Sequence, residues 1–313
     1  MVGGPQMTRP VTALKTVIIP AAGKGTRMLP ATQVTAKELL PVYDRPALQF
    51  AIDEAIDAGA ERIILVVSNA KPAIRQFLGD RVGKSTGSVT RFERLAPSAE
   101  IVYVTQEQPL GLGHAILCCK GLTLPGPFGI ILPDDIIMGQ SGLSEMVSNY
   151  SGGHMIAAMK VSEQETSQYG IFALSGSADD RCIAVTGMVE KPLRGQAPSS
   201  VAAVGRYILL PMIFDILGHT PKGAGGEVQL TDAIAIATLS VPLTAFRFSG
   251  TRYDCGNHDG LLAASNARQA TVKSGQISAA LYGARTSVRL GCNDKRPWPE
   301  SGRVMSKNVQ NAM

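Results

Sequence analysis

The chain contains no uninterrupted apolar run of the length that a membrane-spanning helix needs, which is about 18 residues. Its start reads MVGGPQMTRPVTALK and lacks the apolar core that a secretory signal carries. We therefore expect a protein that neither spans a membrane nor follows the secretory route. The first residues, 1–14, are typical of a flexible polar leader.

Cysteine and histidine are scarce, and neither is spaced like the ligands of a metal site. The five cysteines include no Cys-x-x-Cys pair, so the sequence predicts neither a disulfide framework nor a cysteine zinc site. The four histidines show no metal-ligand spacing. Reduced thiols are typical of the cytoplasm, which we expect to be the location of the protein.

Positive charge is in modest excess, and most of it lies at one end of the chain. The formal net charge is +5, and residues 283–313 hold six basic and two acidic side chains. The other 282 residues hold 24 basic and 23 acidic groups, so the body of the chain is close to neutral. A basic, polar end is more often a solvated, disordered tail than a binding arm. We therefore expect no nucleic-acid partner.

Hydrophobic residues make up 45% of the chain and alternate between strand-like and helix-like segments. Predicted strands cover residues 16–20, 62–67, 100–106, 128–135, 154–161, 170–175, 182–192, 201–209 and 243–250. Predicted helices cover residues 45–60, 71–79, 113–122, 228–239 and 260–272. This order predicts an α/β fold with a Rossmann-like, mostly parallel twisted sheet flanked by helices. The second half, with more strands and fewer helices, should add mixed or antiparallel strands.

The domain organisation follows from the lack of repeats and of clear linkers. A chain of 313 residues can bury a large core without disulfides. We expect a single domain at residues 15–282, followed by the basic tail at 283–313. Residues 80–98 are polar and carry glycine and serine, which is typical of a flexible excursion or a lid.

A glycine-rich loop follows the first predicted strand and reads AAGKGTRMLPAT. Loops at the carboxyl ends of parallel strands bind ligands, because glycines allow the backbone to approach phosphates closely. The loop lacks the Gly-Lys-Ser/Thr ending of a P-loop, and Met28 stands at the third glycine of a dinucleotide fingerprint. Arg27 and Lys37 are two cations that one folded loop could direct at a polyphosphate. A tight turn with solvated cations is the alternative.

Three further polar groups each stand at the end of a later predicted strand. Gln106 precedes a glycine turn and could read the edge of a nucleobase. Asp134 and Asp135 end a predicted strand, where carboxylates could hold Mg²⁺ or simply open a turn. Glu190 and Lys191 could meet a sugar hydroxyl and a phosphate, or form an exposed charged turn. Because these groups all follow strands, they predict one site assembled from successive strand ends.

The combination of these motifs resembles the sugar-phosphate nucleotidyltransferases, which couple a nucleoside triphosphate to a sugar phosphate. The matching segments, in order, are AAGKGTRMLPAT, KELLP, GLGHAIL, LPDD, YGIF, VEKP, VGRYIL, GEVQLTDAI and RYDCGN. The resemblance covers roughly residues 15–270, and the wording of the first and last segments favours the uridylyl branch over the thymidylyl branch. Gln33 and Ala36 depart from the family pattern, in which lysine and proline are usual. These departures concern nucleotide affinity rather than the reaction class.

The resemblance implies a role for each matching residue. The nucleotide would be held by Ala21, Ala22, Gly23, Gly25, Thr26, Gln106 and Gly111. The catalytic charges would be those of Arg27, Lys37, Asp134 and Lys191. The sugar would be held by Gly170, Glu190, Lys191 and Gly205. A Mg²⁺ ion would bind Asp134 and, as a less secure second ligand, Asp254.

The resemblance further implies a reaction. A uridylyl group would pass from UTP to glucose 1-phosphate by Mg²⁺-assisted in-line attack on the α-phosphorus, giving UDP-glucose and pyrophosphate. Thymidylyl transfer, or transfer to another sugar 1-phosphate, is an alternative within the same class. A non-catalytic sensor that binds sugar nucleotides is an alternative of a different class. The family also suggests a homodimer or homotetramer.

Overall fold

The computed structural model describes residues 14–79 and 99–275. The predicted excursion at 80–98, the tail at 283–313 and all but one residue of the leader lie outside these ranges. Leu14 is the exception, and it is buried. Within the described residues no helix is both long and apolar enough to cross a membrane.

Thirteen strands are found among the described residues. They are β1 (Thr16–Pro20), β2 (Pro41–Val42), β3 (Arg45–Pro46), β4 (Arg62–Val67), β5 (Glu100–Thr105), β6 (Phe128–Ile131), β7 (Asp135–Met138), β8 (His154–Lys160), β9 (Gly170–Leu174), β10 (Cys182–Glu190), β11 (Val201–Leu209), β12 (Leu243–Arg247) and β13 (Thr251–Asp254).

The same residues contain seven α-helices and five short 3₁₀ turns. The helices are α1 (Ala47–Asp57), α2 (Pro72–Gly79), α3 (Gly111–Leu117), α4 (Gly142–Asn149), α5 (Ile213–His219), α6 (Leu230–Ala237) and α7 (His258–Lys273). The 3₁₀ turns are Thr26–Met28, Ala31–Gln33, Lys37–Leu39, Glu163–Gln168 and Ala224–Gly226.

Nine strands form the main sheet, in the order β5-β4-β1-β6-β11-β8-β12-β10-β9. The four strands from the first half of the chain, β5, β4, β1 and β6, are parallel to one another. β11 is antiparallel to β6 and β8, β12 is parallel to β8, and β10 is antiparallel to β12 and β9. The predicted α/β fold is confirmed, with its parallel part in the first half and its mixed part in the second.

The central strands are mostly apolar because both faces of the sheet are covered. In β1, Val17 and Ile19 belong to the apolar cluster on one face, whereas Ile18 belongs to the cluster on the other. In the neighbouring β4, Ile63 stands opposite Val17 and Ile64 stands opposite Ile18. Since strand side chains alternate between faces, this register builds two apolar layers around one sheet. Because β5, β4, β1 and β6 are parallel, their carboxyl ends lie along one edge of the sheet.

The prediction of one strand over residues 128–135 is wrong at its carboxyl-terminal end. β6 ends at Ile131, and a separate strand begins at Asp135. Pro133 has no N–H for a sheet ladder, and the Asp135 N–H donates to the Leu132 carbonyl at 3.1 Å to close a turn. β7 then pairs with β13 in a two-stranded ribbon. Asp134 therefore lies in a turn between two sheets, rather than at the end of a strand.

The cysteines only partly follow the prediction of reduced thiols. Cys118, Cys119 and Cys255 are free. Cys182, the first residue of β10, forms a disulfide bond, which the count and spacing of the cysteines did not indicate.

A buried ion pair joins α1 to the main sheet. Arg206 in β11 donates from Nε and Nη2 to the two carboxylate oxygens of Glu54, at 2.9 and 2.7 Å. The backbone N–H of Leu143 in α4 donates to the same carboxylate at 2.9 Å. Arg206 is 2% exposed and Glu54 is 7% exposed, so solvent cannot replace either partner. The pair therefore fixes two helices against the sheet.

Replacing Glu54 with Ala should lower the free energy of unfolding by about 3 kcal/mol or more, because the Arg206 charge would stay buried without its partner. Glu61→Ala is the matched control, since the contact of Glu61 with Lys15 at 3.2 Å is exposed. We expect a change of about 0.5 kcal/mol or less in that variant. Urea unfolding of the two variants and the wild type gives the comparison. Equal stabilities of the two variants would contradict a structural role for the pair.

Candidate active site

Two cavities adjoin at the carboxyl edge of the parallel strands. The larger cavity has a volume of about 410 Å³ and lies over the glycine-rich loop after β1. The smaller cavity has a volume of about 230 Å³ and is lined by residues of β9, β10 and β11. Both are lined by Leu112, Leu132 and Asp134. Molecules bound in the two cavities would therefore meet at Asp134.

The glycine-rich loop lines one side of the larger cavity. Gly25 adopts a φ of 70°, which glycine accepts without strain, and its carbonyl accepts a hydrogen bond from the Thr32 hydroxyl at 2.8 Å. The 3₁₀ turn at Thr26–Met28 begins directly after it. Ala22, Gly23, Gly25 and Thr26 all line the cavity. Four of the positions that the resemblance assigned to nucleotide binding therefore face one cavity.

Ala21, which the resemblance assigned to the same role, lies behind this surface. It is fully buried, and its N–H donates to the Val66 carbonyl at 2.7 Å. Its carbonyl accepts a hydrogen bond from Lys71 Nζ at 3.1 Å. Both backbone polar groups of Ala21 are therefore engaged within the protein.

Lys71 also binds Glu38, and this pair contacts the glycine-rich loop from within the protein. Lys71 Nζ lies 3.0 Å from Glu38 Oε1 and 2.7 Å from Oε2. Burial raises the pKa of Glu38 and lowers the pKa of Lys71, so burial opposes both charges. The mutual contact offsets this penalty. The pair ties the turn at Lys37–Leu39 to the start of the glycine-rich loop at Ala21.

Lys37 and Asp134 form the ion pair at the junction of the cavities. Lys37 Nζ lies 2.5 Å from Asp134 Oδ2. Burial favours the neutral form of each group, but the opposite charge outweighs it in both cases. The pKa of Lys37 is therefore raised above its ordinary value, and the pKa of Asp134 is lowered below its own. Both groups stay charged at neutral pH.

Arg27 reaches the same junction from the glycine-rich loop. Its Nη2 lies 3.9 Å from Asp134 Oδ2, and its Nη1 lies 3.6 Å from Asp254 Oδ2. The guanidinium is largely exposed and lines the smaller cavity. Arg27 can therefore exchange these long contacts for a phosphate group.

Asp135 plays a different part from its neighbour Asp134. One carboxylate oxygen accepts the Gly205 N–H at 2.7 Å, and the other accepts a short hydrogen bond from Arg252 Nε. Arg252 also donates to the Tyr169 hydroxyl at 3.0 Å. Asp135 is buried, and both of its oxygens are used. It joins the β7–β13 ribbon to β11 and is not a free carboxylate for a metal.

The residues assigned to sugar binding line the smaller cavity together. Glu190 accepts the Thr231 hydroxyl at 2.7 Å, and Lys191 Nζ lies 3.6 Å from the other Glu190 oxygen. A Cβ at Gly170 would lie 3.2 Å from Glu190 Oε2, and one at Gly205 would lie 2.7 Å from the Cβ of the neighbouring Leu132. At Gly205 a side chain would collide with its neighbours, and at Gly170 a Cβ would make a tight contact.

Gln106 and Gly111 line the larger cavity together with the glycine-rich loop. Gly111 has a φ of 92°, and a Cβ there would lie 2.7 Å from Glu227 Cβ. The turn therefore requires glycine at this position, and it brings the first residues of α3 against Gln106.

The carboxylates of Asp134 and Asp254 fit a Mg²⁺ ion that also binds substrate phosphates. In residues 14–79 and 99–275, no cluster of three or more acidic, histidine or cysteine side chains could hold a metal ion by itself. Asp134 and Asp254 both contact the Arg27 guanidinium, so their carboxylates lie near each other at the junction. Magnesium is typically held by one or two carboxylates together with substrate phosphates. The donor set fits Mg²⁺ if a bound phosphate supplies further oxygens.

Several side chains that support the site were not singled out from the sequence. Among them are Lys71, His114 and Arg252. Lys71 follows β4 at the same sheet edge as the predicted groups, so a search for every charge after a buried strand would have found it. Arg252 carries no such signal, because its partners Asp135 and Tyr169 come from distant parts of the chain. His114 lies inside a predicted helix, where nothing in the local pattern distinguishes it.

Comparison with known proteins finds similar sequences and structures. The sequence model of the nucleotidyl transferase family matches residues 16–271. A UTP–glucose-1-phosphate uridylyltransferase of Bacillus subtilis (strain 168) is 39% identical over 260 residues, which cover 80% of this chain and 89% of the relative. One from Pseudomonas aeruginosa is 37% identical over 266 residues, covering 81% and 95%.

A solved structure is similar over nearly the same range. It is a UDP-glucose pyrophosphorylase complexed with UDP-glucose, which superposes with a TM-score of 0.74 at 36% sequence identity. The match covers 82% of this chain and 99% of that chain.

Replacing Asp134 with Asn should lower the pKa of Lys37. Burial lowers that pKa and the Asp134 carboxylate raises it, so removing the carboxylate leaves the lowering effect less opposed. NMR titration of ¹³Cε-labelled lysine in the variant and the wild type measures the shift. Asp215→Asn, on the exposed surface beside Lys120, is the control and should leave Lys37 unchanged. A Lys37 that titrates alike in D134N and the wild type would show that the pair is weak in solution.

Proposed function

Because the chain belongs to the nucleotidyl transferase family, we propose that it transfers a uridylyl group from UTP to glucose 1-phosphate, giving UDP-glucose and pyrophosphate. The observation that carries this proposal is the pair of cavities that share Asp134. A group transfer between two anionic substrates needs two adjoining pockets and cations at their junction. Lys37 and Arg27 supply such cations there.

The larger cavity suits UTP. Its glycine-rich wall allows the backbone to lie close to phosphates, and Lys24 and Lys37 line it. Gln106 and Gly111, which line the same cavity, offer an amide and bare backbone to the base. A triphosphate placed along this cavity would direct its α-phosphorus toward Asp134.

The smaller cavity suits glucose 1-phosphate. Glu190 can accept hydrogen bonds from sugar hydroxyls, and Gly170 and Gly205 line the same cavity. Lys191 is largely exposed at the mouth of this cavity and can pair with the phosphate. The phosphate would then lie between Lys191 and Arg27.

The reaction would be an in-line displacement at the α-phosphorus. A phosphate oxygen of glucose 1-phosphate forms a bond to that phosphorus, and the bond to the oxygen bridging the α- and β-phosphorus atoms breaks. Pyrophosphate leaves with the electron pair, so no covalent enzyme intermediate is needed. The protein holds the two anions in line and offsets their repulsion through Arg27, Lys37 and Lys191.

A divalent metal is general in this family, and we propose Mg²⁺ for this chain. Asp134 and Asp254 would hold it together with substrate phosphates. When bound, the ion would neutralise charge on the phosphates during transfer. A cytoplasmic location and a homodimer or homotetramer stay predictions of the sequence.

Pyrophosphate release should be fastest with UTP and glucose 1-phosphate. The assay runs UTP, dTTP, CTP and ATP against glucose 1-phosphate, and then UTP against several other sugar 1-phosphates. Faster turnover with dTTP would assign the chain to the thymidylyl branch, and faster turnover with another sugar would change the acceptor. Binding of UDP-glucose without pyrophosphate release from any pair would indicate a sensor rather than an enzyme.

Asp134→Asn should reduce kcat by more than about tenfold, which corresponds to about 1.4 kcal/mol in the barrier. The amide cannot ligate Mg²⁺ as the carboxylate does, and it leaves Lys37 without its partner. Initial rates over a range of Mg²⁺ concentrations measure the loss, with Asp215→Asn as the control. Turnover within about tenfold of the wild type at saturating Mg²⁺ would mean that Asp134 is not the metal ligand.

A further inference from the structure

The side-chain amide of Gln106 is held in one orientation on the wall of the larger cavity. Its Nε2 lies 3.1 Å from the Gly111 carbonyl and 3.0 Å from His114 Nδ1. Its backbone N–H donates to the Val67 carbonyl at 2.8 Å, which fixes the residue beyond the end of β5. Gln106 is 6% exposed, so its side chain has little room to rotate.

The Gly111 carbonyl decides which end of the amide faces inward. A carbonyl oxygen can only accept a hydrogen bond, so the atom beside it must be the NH₂ group of Gln106. The NH₂ group has two hydrogens, and the second points to His114 Nδ1. No described residue donates to Gln106 Oε1, and this oxygen is not sealed in the interior. Oε1 is therefore the atom that Gln106 offers to the cavity that it lines.

His114 must present an unprotonated Nδ1 for this arrangement to hold. A protonated Nδ1 would face the NH₂ group with a second donor, and both hydrogen bonds could not form. Cys118 Sγ lies 3.9 Å from the same nitrogen. Burial raises the pKa of Cys118, so its thiol keeps its hydrogen and is a weak donor as well. Both neighbours of Nδ1 are donors, which indicates the neutral imidazole with its hydrogen on Nε2.

We propose that His114 is a positioning residue for base selection, which acts by holding Gln106 Oε1 toward the nucleotide as a hydrogen-bond acceptor. The proposal rests on the proposed function and deepens it. Uracil carries a hydrogen on ring nitrogen N3 and can donate to Oε1. Cytosine has a bare N3 in the same place, so two acceptors would face each other. Turning the amide over to suit cytosine would break both hydrogen bonds of its NH₂ group.

The matched variants are His114→Leu and His114→Asn. Leucine and asparagine have the same branched shape, but only asparagine keeps an acceptor at the position of Nδ1. We expect H114L to reduce the ratio of kcat/KM for UTP to that for CTP by about tenfold or more, since one of the two bonds that orient the amide is lost. H114N should restore most of this ratio. The kcat at saturating UTP should change less than the ratio in either variant.

His219→Leu is the control for a loss of histidine elsewhere. His219 is exposed on α5, and its ring nitrogen contacts the Asp215 carbonyl at 2.8 Å, away from both cavities. The UTP to CTP ratio should be unchanged in that variant. A wild-type ratio in H114L, or equal losses in H114L and H114N, would overturn the positioning role of His114.

A second measurement on the wild type does not depend on how the variants fold. UTP methylated at N3 has no hydrogen to give Oε1, whereas UTP methylated at C5 keeps it. We expect the first analogue to lose at least about a hundredfold in kcat/KM and the second to lose far less, since a site built around one hydrogen bond rejects analogues that lack it. Similar rates with UTP and its N3-methyl analogue would overturn this inference while leaving uridylyl transfer intact. No pyrophosphate release with UTP would instead defeat the proposed function.

Discussion

The ion pair between Lys37 and Asp134 joins the two halves of the site. Lys37 begins a turn after the glycine-rich loop, and Asp134 lies in the turn between β6 and β7, 97 positions further along. Burial opposes each charge alone, so each keeps the other ionised. Because Asp134 lines both cavities, the pair also determines where a molecule in one cavity meets a molecule in the other.

The charged groups around this junction divide into two kinds. Three buried ion pairs hold the scaffold, namely Glu38 with Lys71, Glu54 with Arg206, and Asp135 with Arg252. Removing one partner of a buried pair lowers the stability of the protein by several kcal/mol, so these pairs maintain the geometry of the site. Arg27 and Lys191 are largely exposed and contact carboxylates only at 3.6 Å or more. Exposed pairs contribute little to stability, which leaves these two cations available to phosphates.

Most of the fold could be predicted because the sheet is buried on both faces. Such strands need continuous apolar runs, and the runs at 16–20, 62–67 and 201–209 became β1, β4 and β11 with the predicted bounds. The short ribbon of β7 and β13 was not predicted as such, and the helices α4 and α5 were not predicted at all. These elements are brief, and their position depends on contacts such as the Leu143 N–H to Glu54 rather than on a strong local pattern.

The sequence by itself determined the sheet and the polar groups that follow its strands, since apolar periodicity and motif spacing are local properties of the chain. It therefore placed Arg27, Lys37, Asp134 and Glu190 in one site. Only the tertiary structure decided which carboxylate is available, because Asp134 and Asp135 are adjacent in sequence and differ only in their partners. The same holds for the orientation of the Gln106 amide, which depends on hydrogen bonds that form when α3 packs against the end of β5.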